Sequence, residues 1–422
     1  MRVHIVGAGP TGMSVAWELK KFTQHDVILY DKKPSVGGSW WEPGVESRDL
    51  HAHRAVFKNA FVNTRSFLGE MRIGWNELFV DDKLDYKSFF KSFSPNDYLE
   101  LLSLFARVIA CPGVYKEKSI HESIGSMSPR GRRLMETFPY VMDGVSWDVM
   151  TAYEFVQNLN HVALSQSQTQ RVSGKVMNDY MREALEAEGV SFSFNRGLED
   201  VEYTHDGFTA TFSDGEKVSD GLLVLCVDHN AALELIKDNW GPVHDKIKGS
   251  AYECINVLLD YDKPIEIDDP LTIGMDTEWT ILPEVLHGGT TVSCVLCKLT
   301  DEILTTPPDV LKRKVLEQLG LPKPVGARIA WGSVWDGVRW RLEQSSGVLS
   351  AKGQIPFYGK SDRVALCGMM SHRHTPYASI EAAVEVGRRL CNGSFGTRPP
   401  LKPILLTDVL KLLIVFILIL FI

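Results

Sequence analysis

The feature that most constrains this chain is a glycine-rich turn close to its start. Residues 3–6 are rich in β-branched side chains and predict a buried strand, and Gly7, Gly9 and Gly12 follow at the G-x-G-x-x-G spacing. A helical pattern runs from Thr11 to Lys21. In this motif the first glycine allows a tight turn, the second leaves space for a pyrophosphate, and the third lets the helix pack on the strand.

The residues around this turn predict a dinucleotide site. Pro10 and Thr11 begin the helix, whose N-terminus offers backbone N–H groups and a positive dipole end to phosphates. A second predicted strand, 26–30, ends on Asp31, where a carboxylate accepts hydrogen bonds from a ribose. The alternative interpretation is a glycine-rich turn in an unrelated α/β protein.

A second glycine pair indicates which dinucleotide binds. Gly37 and Gly38 lie just beyond Asp31 and are followed by Ser39. Here the chain resembles the glutathione-reductase-like FAD proteins, and among them the flavin amine oxidases and UDP-galactopyranose mutases. The resemblance implies that Gly37, Gly38 and Ser39 approach the FAD phosphate and ribityl chain. Many members have arginine at the position of Ser39, and a plain surface turn is the alternative.

The far end of the chain resembles the closing segment of flavin amine oxidases. Residues 362–368 predict a short buried strand ending on Gly368, and a helical run with a Glu-small-Ala-Val pattern follows Tyr377. In that family the helix N-terminus points at the pyrimidine end of the flavin, where it stabilises negative charge. The resemblance implies cofactor contacts from Gly368, Ser379 and Ile380.

Together the two segments favour FAD over NAD. No cysteine stands where covalent-flavin enzymes carry theirs, so the resemblance implies non-covalent FAD. Met369 and Met370 follow Gly368, where the family usually has an acidic residue.

Further site residues are assigned through the same resemblance. His53 lies in a His-rich segment similar to one in the mutases, and the resemblance implies that His53 or Arg54 faces the flavin, with a surface or structural role as the alternative. His53 and Tyr377 are the candidate catalytic residues. Val201 is expected to contact the adenine, with an ordinary core valine as the alternative. Asn256 occupies the position where many amine oxidases have a lysine near flavin N5. His51 and His53 lack a nearby third ligand, so no metal site is predicted.

Charge and cysteine content exclude some classes of function. The net charge of −8 argues against nucleic acid as a partner. Seven cysteines scattered in apolar runs indicate a reducing compartment. Cys294 and Cys297 form a C-x-x-C within a strand-like run, for which a core strand is a better interpretation than a redox or metal pair.

The predicted fold class is α/β, with an FAD-binding Rossmann domain assembled from discontinuous segments. That domain comprises 1–60, 170–235 and 360–395, with a hairpin predicted at 198–204 and 208–212. An inserted α+β substrate domain comprises 61–169 and 236–359. The first part is expected to be mostly helical and irregular with a loop at 139–148, and the second to be mostly strands, at 255–261, 290–299 and 328–335. Residues 396–403 form a proline-rich linker.

Residues 404–422 predict a C-terminal hydrophobic helix that anchors the chain in a membrane. The last eleven residues, 412–422, carry no polar side chain. At about 1.5 Å per residue, the 404–422 helix would span roughly 28 Å, close to the ~30 Å hydrocarbon core. Lys402 and Arg398 would then keep the catalytic domain cytosolic. A helix lying in one leaflet and a buried core helix are the alternatives.

The predicted function is an FAD-dependent oxidoreductase that moves a hydride from a small substrate to flavin N5. Amine oxidation is what the resemblance implies. The alternatives are a mutase-like, flavin-assisted isomerase and a catalytically idle, membrane-tethered FAD-binding protein. A flavin monooxygenase is a weaker interpretation, because the chain has no second G-x-G-x-x-G for NADPH.

Overall fold

The computed structural model of the chain describes residues 1–38, 55–81, 90–204, 207–236, 239–240, 249–251, 253–286, 288–342, 347–349 and 354–420. At its centre lies a parallel sheet of five strands: β1 (Arg2–Val6), β2 (Asp26–Tyr30), β6 (Ser191–Ser193), β10 (Leu222–Leu225) and β19 (Val364–Leu366). Their order is β19-β10-β1-β2-β6. The apolar runs predicted as strands form this sheet because both faces of a parallel sheet are buried. The Rossmann-like sheet is confirmed.

Helices cover one face of this sheet and a small antiparallel sheet covers the other. The helices are α1 (Pro10–Phe22), α9 (Gly174–Ala187) and α14 (Ile380–Phe395). α1 and α14 pack closely because Gly387 has no side chain, and a Cβ there would lie 2.8 Å from Ser14 Oγ. The second sheet contains the predicted hairpin, β7 (Leu198–Thr204) and β8 (Gly207–Phe212), with β9 (Lys217–Val218).

The region 61–169 is mostly helical, as predicted. Its helices are α2 (Val62–Glu70), α3 (Trp75–Leu78), α4 (Pro95–Ala110), α5 (Pro112–Tyr115), α6 (Ile120–Ser123), α7 (Pro129–Asp143) and α8 (Ala152–Val162). A three-stranded sheet that the sequence did not predict joins this region, in the order β3 (Val56–Phe57), β5 (Ser167–Gln170), β4 (Phe79–Asp81).

The loop predicted at 139–148 is wrong for its first five residues. α7 continues through Pro139 to Asp143 and ends at Gly144, whose φ of 63° is left-handed. An interior proline costs a helix roughly 3 kcal/mol. The buried side chains of Leu134, Met135 and Phe138 offset that cost by packing in one core.

A four-stranded antiparallel sheet forms the centre of the region 236–359. Its strands are β12 (Ile255–Asp260), β13 (Ile281–Val285), β14 (Thr291–Leu296) and β15 (Gly326–Ile329), in the order β13-β14-β12-β15. The strand predicted at 328–335 is two strands, because Gly332, with φ 98°, turns the chain between β15 and β16 (Ser333–Trp335). The remaining elements here are α10 (His229–Ile236), β11 (Gly249–Ala251), α11 (Pro270–Asp276), α12 (Asp301–Thr305), α13 (Pro308–Leu319), β17 (Trp340–Leu342) and β18 (Gly347–Leu349).

The C-x-x-C cysteines belong to this sheet. Cys294 lies within β14, Cys297 lies just after it, and both are buried. Burial raises the pKa of the Cys297 thiol to about 12 and that of Cys294 still further. Thiols protonated so strongly are unreactive, which agrees with the core-strand interpretation.

The C-terminal helix α15 spans Leu406–Leu420. Within the part of the chain that the structure describes, no helix is both long and apolar enough to cross a membrane. The predicted spanning anchor is therefore not supported. The stretch before α15 is docked on the fold, since Leu401 N–H donates to Asn63 Oδ1 and Asn63 Nδ2 donates to Leu401 O.

Candidate cofactor and substrate site

The first glycine turn is fixed by close backbone contacts. Gly7 has a left-handed φ of 102°, and a Cβ there would lie 2.3 Å from Cys226 O. A Cβ on Gly12 would lie 1.9 Å from Gly7 O. Gly9 is different, because its Cβ would approach Gly38 Cα no closer than 3.6 Å. Gly7 and Gly12 are therefore required by the fold, whereas Gly9 is free of that constraint.

The two glycine segments meet at the start of α1. Gly9 is the N-cap residue of α1, and no side chain caps this helix. Gly38 has φ 57°, and a Cβ there would lie 2.9 Å from Gly9 Cα. Gly37 N–H donates to Ala8 O over 2.9 Å. The result is a backbone surface without side chains beside a helix N-terminus, which suits a pyrophosphate.

Asp31 lies at the end of β2, as predicted, and also holds the glycine turn. Its Oδ2 accepts from Ala8 N–H at 2.7 Å and its Oδ1 from Lys33 N–H at 2.8 Å. A carboxylate has about four acceptor positions, so these two bonds leave it able to accept from ribose hydroxyls.

Asn178 is a residue that sequence reasoning missed. It lies on α9 and packs against Gly37, whose added Cβ would be 2.1 Å from Asn178 Nδ2. Its side chain is 1% exposed, and neither amide atom has a hydrogen-bond partner among the described residues. Buried amides rarely stay unpaired. A polar ligand at the glycine pair would satisfy this amide, so the residues present fit a dinucleotide cofactor.

The closing segment is arranged around the start of α14. Ser379 is the N-cap, and its hydroxyl accepts from Ala382 N–H over 3.2 Å. Ile380 is buried. Gly368 follows β19, and a Cβ there would make only ordinary 3.5 Å contacts, so no steric need explains this glycine. Met370 is buried in the apolar core behind β19.

The loop between β19 and α14 is held by buried charges. Glu385 accepts from the backbone N–H groups of His374 and Thr375, at 2.7 and 2.8 Å. Arg373 donates to Thr375 O and Met369 O, and burial lowers its pKa. These bonds hold the loop and position Tyr377 ahead of α14.

Comparison with known proteins agrees with this geometry. The model of the NAD(P)-binding Rossmann-like domain matches residues 5–55. No curated protein sequence matches the chain. A putrescine oxidase structure bound to putrescine superposes with a TM-score of 0.70 at 15% identity, covering 94% of this chain and 99% of that one. The chain has the fold of putrescine oxidase.

Two further structures have a similar fold. An oxidoreductase from Methanosarcina mazei gives a TM-score of 0.63 at 12% identity, covering 93% of this chain and 100% of that one. A protein assigned as a protoporphyrinogen oxidase from Exiguobacterium sp. 255-15 gives 0.59 at 13% identity, covering 93% and 98%. The resemblance inferred from the two glycine segments is thus confirmed at the level of the fold.

Of the remaining predicted site residues, the structure describes Val201 but not Ser39 or His53. Val201 is buried in a core cluster with Tyr30 and Phe212, and its contact with adenine stays a prediction. Ser39 and His53 lie outside the described residues. Within the described ranges, no three His, Cys, Asp or Glu side chains are grouped so that they could hold a metal ion.

Tyr377 is enclosed by other side chains. Its hydroxyl lies 2.7 Å from His161 Nδ1, and its ring stacks on Phe61 at 6.1 Å. Burial raises the pKa of Tyr377 well above its usual range and lowers that of His161 to about 4. Both groups are therefore neutral at pH 7 and share one hydrogen bond. A catalytic role for Tyr377 stays a prediction.

A buried polar row crosses the antiparallel sheet at Asn256, whose equivalence to the amine oxidase lysine stays a prediction. Ser293 Oγ on β14 donates to Asn256 Oδ1 on β12 over 3.1 Å. Ser293 pairs across the strands with Glu284 on β13, whose Oε1 accepts from Thr169 Oγ1 at 3.0 Å. Thr169 belongs to β5, so the row links the two parts of the inserted region. Sequence reasoning missed Glu284, because burial of a charged residue has no local signature.

Glu284 gives a pH-dependent prediction. Burial raises its pKa from 4.5 to about 7, so the folded chain holds this proton more tightly than the unfolded chain. The contribution of Glu284 protonation to the free energy of unfolding is fully present below pH 4.5 and is lost as the pH rises through about 7. The unfolding free energy of Glu284→Gln, relative to that of the native chain, should therefore rise by up to about 3 kcal/mol as the pH rises from 4.5 to 8.

Urea unfolding of both proteins at several pH values measures this difference. Glu317→Gln on the surface of α13 is the matched control and should show no such trend. A Glu284→Gln difference that is constant with pH would contradict the prediction.

Proposed function

We propose that the chain is an FAD-dependent, amine oxidase-like oxidoreductase that acts on a small substrate. The observation that carries the proposal is the meeting of two glycine segments at the start of α1. Among the described residues, no side chain caps this helix and the adjacent Asn178 amide has no partner. The amine oxidase fold and the resemblance of the closing segment support it. When bound, FAD supplies hydride acceptance at N5.

The chain's own residues would bind and orient the cofactor without a covalent bond. Gly9, Gly37 and Gly38 give the phosphates access to backbone N–H groups. Asp31 would accept from the ribose. The N-terminus of α14, capped by Ser379, would stabilise negative charge on the flavin. The loop ahead of Tyr377 would exclude water from this end of the site.

The purified protein is expected to be yellow and to release FAD on denaturation. Gly9→Leu should lose the flavin, because its side chain would fill the pyrophosphate position. The fold should survive, because no atom of the described residues lies closer than 3.6 Å to a Cβ at Gly9. Flavin absorbance and circular dichroism measure the two properties separately.

The matched control is Gly69→Leu on α2, where a Cβ meets nothing within 4 Å. This variant should stay yellow. A colourless native protein that binds NAD but not FAD would refute the proposal.

The reaction type is tested by what bleaches the flavin. Bleaching by substrate without NADPH is the expected result for an oxidase. Activity on a UDP-sugar only after chemical reduction would instead identify the mutase-like isomerase. An FAD-bound protein with neither activity would match the idle scaffold.

Membrane attachment of a cytosolic catalytic domain through residues 404–422 stays a prediction. Exposed apolar side chains on α15, among them Leu412, Leu413 and Phe416, motivate it. Sedimentation with membranes that is lost on truncation after Pro403 would support attachment to one leaflet.

A further inference from the structure

A cavity of about 180 Å³ lies between the three-stranded sheet and helices α7 and α8. By comparison, an apolar protein cavity of about 150 Å³ holds one benzene molecule. The floor contains the buried Phe57 and Phe138, and the opening lies at the exposed Ala163 and Gln166. The cavity therefore has room for a molecule of about one aromatic ring, with a route from solvent.

The part of the cavity wall that the structure describes is mostly apolar and uncharged. Six of its described lining residues are large and apolar: Phe57, Phe90, Phe138, Met142, Leu159 and Val162. None of the described lining residues is an acid or a base. Moving an ammonium group into such surroundings without a carboxylate partner is costly. The lining therefore selects against cations such as a protonated diamine.

One polar atom in the wall is unused. Ser167 on β5 lines the cavity and is 7% exposed. Its Oγ has no hydrogen-bond partner among the described residues. By contrast, the hydroxyl of Ser165 in the same wall already accepts from Asn59 N–H at 2.9 Å. This Oγ has less than 1 Å² of accessible surface, so it would reach a ligand in the cavity after a change of the Ser167 χ1 rotamer. A hydroxyl both donates and accepts, so Ser167 would then give the ligand one hydrogen bond.

The cavity lies close to the predicted flavin end of the site. Phe57 in its floor lies 6.3 Å, centroid to centroid, from the ring of Tyr377. Tyr377 immediately precedes Ala378 and the Ser379 cap of α14. By strand alternation Ser167 and Thr169 project from the same side of β5, and Thr169 contacts Glu284 of the polar row.

We propose that this cavity binds the substrate, and that the substrate is a small, uncharged, apolar molecule with one hydroxyl or carbonyl group. The apolar wall would hold the body of the molecule and Ser167 Oγ would orient its polar group. This inference rests on the proposed function, because it places the substrate next to the segment that would hold the flavin.

The test uses the full chain with its bound flavin and three probes: p-cresol, toluene and putrescine. Calorimetry should show p-cresol binding five- to tenfold more tightly than toluene, and no putrescine binding. p-Cresol should also shift the visible spectrum of the flavin. Ser167→Ala should abolish the preference for p-cresol and leave toluene binding unchanged. Ala163→Phe, at the exposed opening of the cavity, should weaken the binding of p-cresol and of toluene by at least tenfold.

Several results would overturn the inference. One is that putrescine binds and that Ala163→Phe abolishes its binding. The others are that p-cresol binding is unchanged in both variants, or that p-cresol binds without shifting the flavin spectrum. Failure of the proposed function looks different, because the protein would then be colourless. Calorimetry of p-cresol on that colourless protein would still show whether the cavity binds such molecules.

Discussion

Gly12→Ala is expected to destabilise the chain by about 3 kcal/mol or more, the upper range for overpacking at a rigid contact. The added Cβ would lie 1.9 Å from Gly7 O and 3.3 Å from Leu29 Cδ1. The nearest atom is backbone, so it cannot rotate away as a side chain would. α1 would have to shift from β1, and the backbone surface for the pyrophosphate would be lost with it.

A second Gly→Ala exchange provides the control. Gly393 lies near the end of α14, where a Cβ meets nothing within 4 Å. Gly393→Ala should raise stability by about 0.5–1 kcal/mol, since alanine favours helix. Chemical unfolding of both variants measures the contrast. Equal stability of the two would show that the strand–helix contact at Gly12 is not rigid.

This contrast explains why the glycine turn could be predicted from sequence. The motif combines a steric requirement at Gly12 with a left-handed φ at Gly7. Glycine satisfies both requirements, and few other residue types satisfy even one of them. The same local rules predicted β2, the hairpin of β7 and β8, and the helix after Ser379. Each has an apolar pattern or cap that can be recognised without its neighbours.

β5 could not be predicted, because its sequence, Ser-Gln-Thr-Gln, has no apolar residue. Its stability comes from partners distant in the chain. It pairs with β3 and β4, and Gln168 Oε1 accepts from Trp75 Nε1 at 2.7 Å. Ser167, which belongs to β5, and Glu284, which contacts β5 through Thr169, were missed for the same reason. Whether a polar side chain is buried depends on tertiary packing, which no local pattern encodes.

Arg388 joins the first and last predicted flavin segments. Its guanidinium is fully buried on α14, with Nε 3.0 Å from Glu18 Oε1 on α1. Nη2 lies 3.1 Å from Glu70 Oε1 on α2 and also donates to Ser66 Oγ. Glu18 is itself 0% exposed. The ion pairs thus lock three helices behind the sheet, and Arg398 completes the cluster from the C-terminal side.

Arg388→Met is expected to destabilise the chain by about 3–5 kcal/mol, the cost of removing one partner from a buried ion pair. Methionine fills much of the space, but Glu18 keeps only the half-buried Arg398 as its cation. Urea unfolding measures the loss. The matched control, Arg313→Met on α13, removes an exposed pair with Glu317 and should cost no more than about 0.5 kcal/mol.

The double variant Glu18→Gln/Arg388→Met separates charge from packing. If the loss arises from the uncompensated Glu18 carboxylate, neutralising it should recover part of the stability. An Arg388→Met variant no less stable than Arg313→Met would show that Arg398 alone balances the buried charge. A double variant less stable than Arg388→Met would assign the loss to packing. Neutralising Glu18 would then have brought no gain, so its buried charge could not have caused the loss.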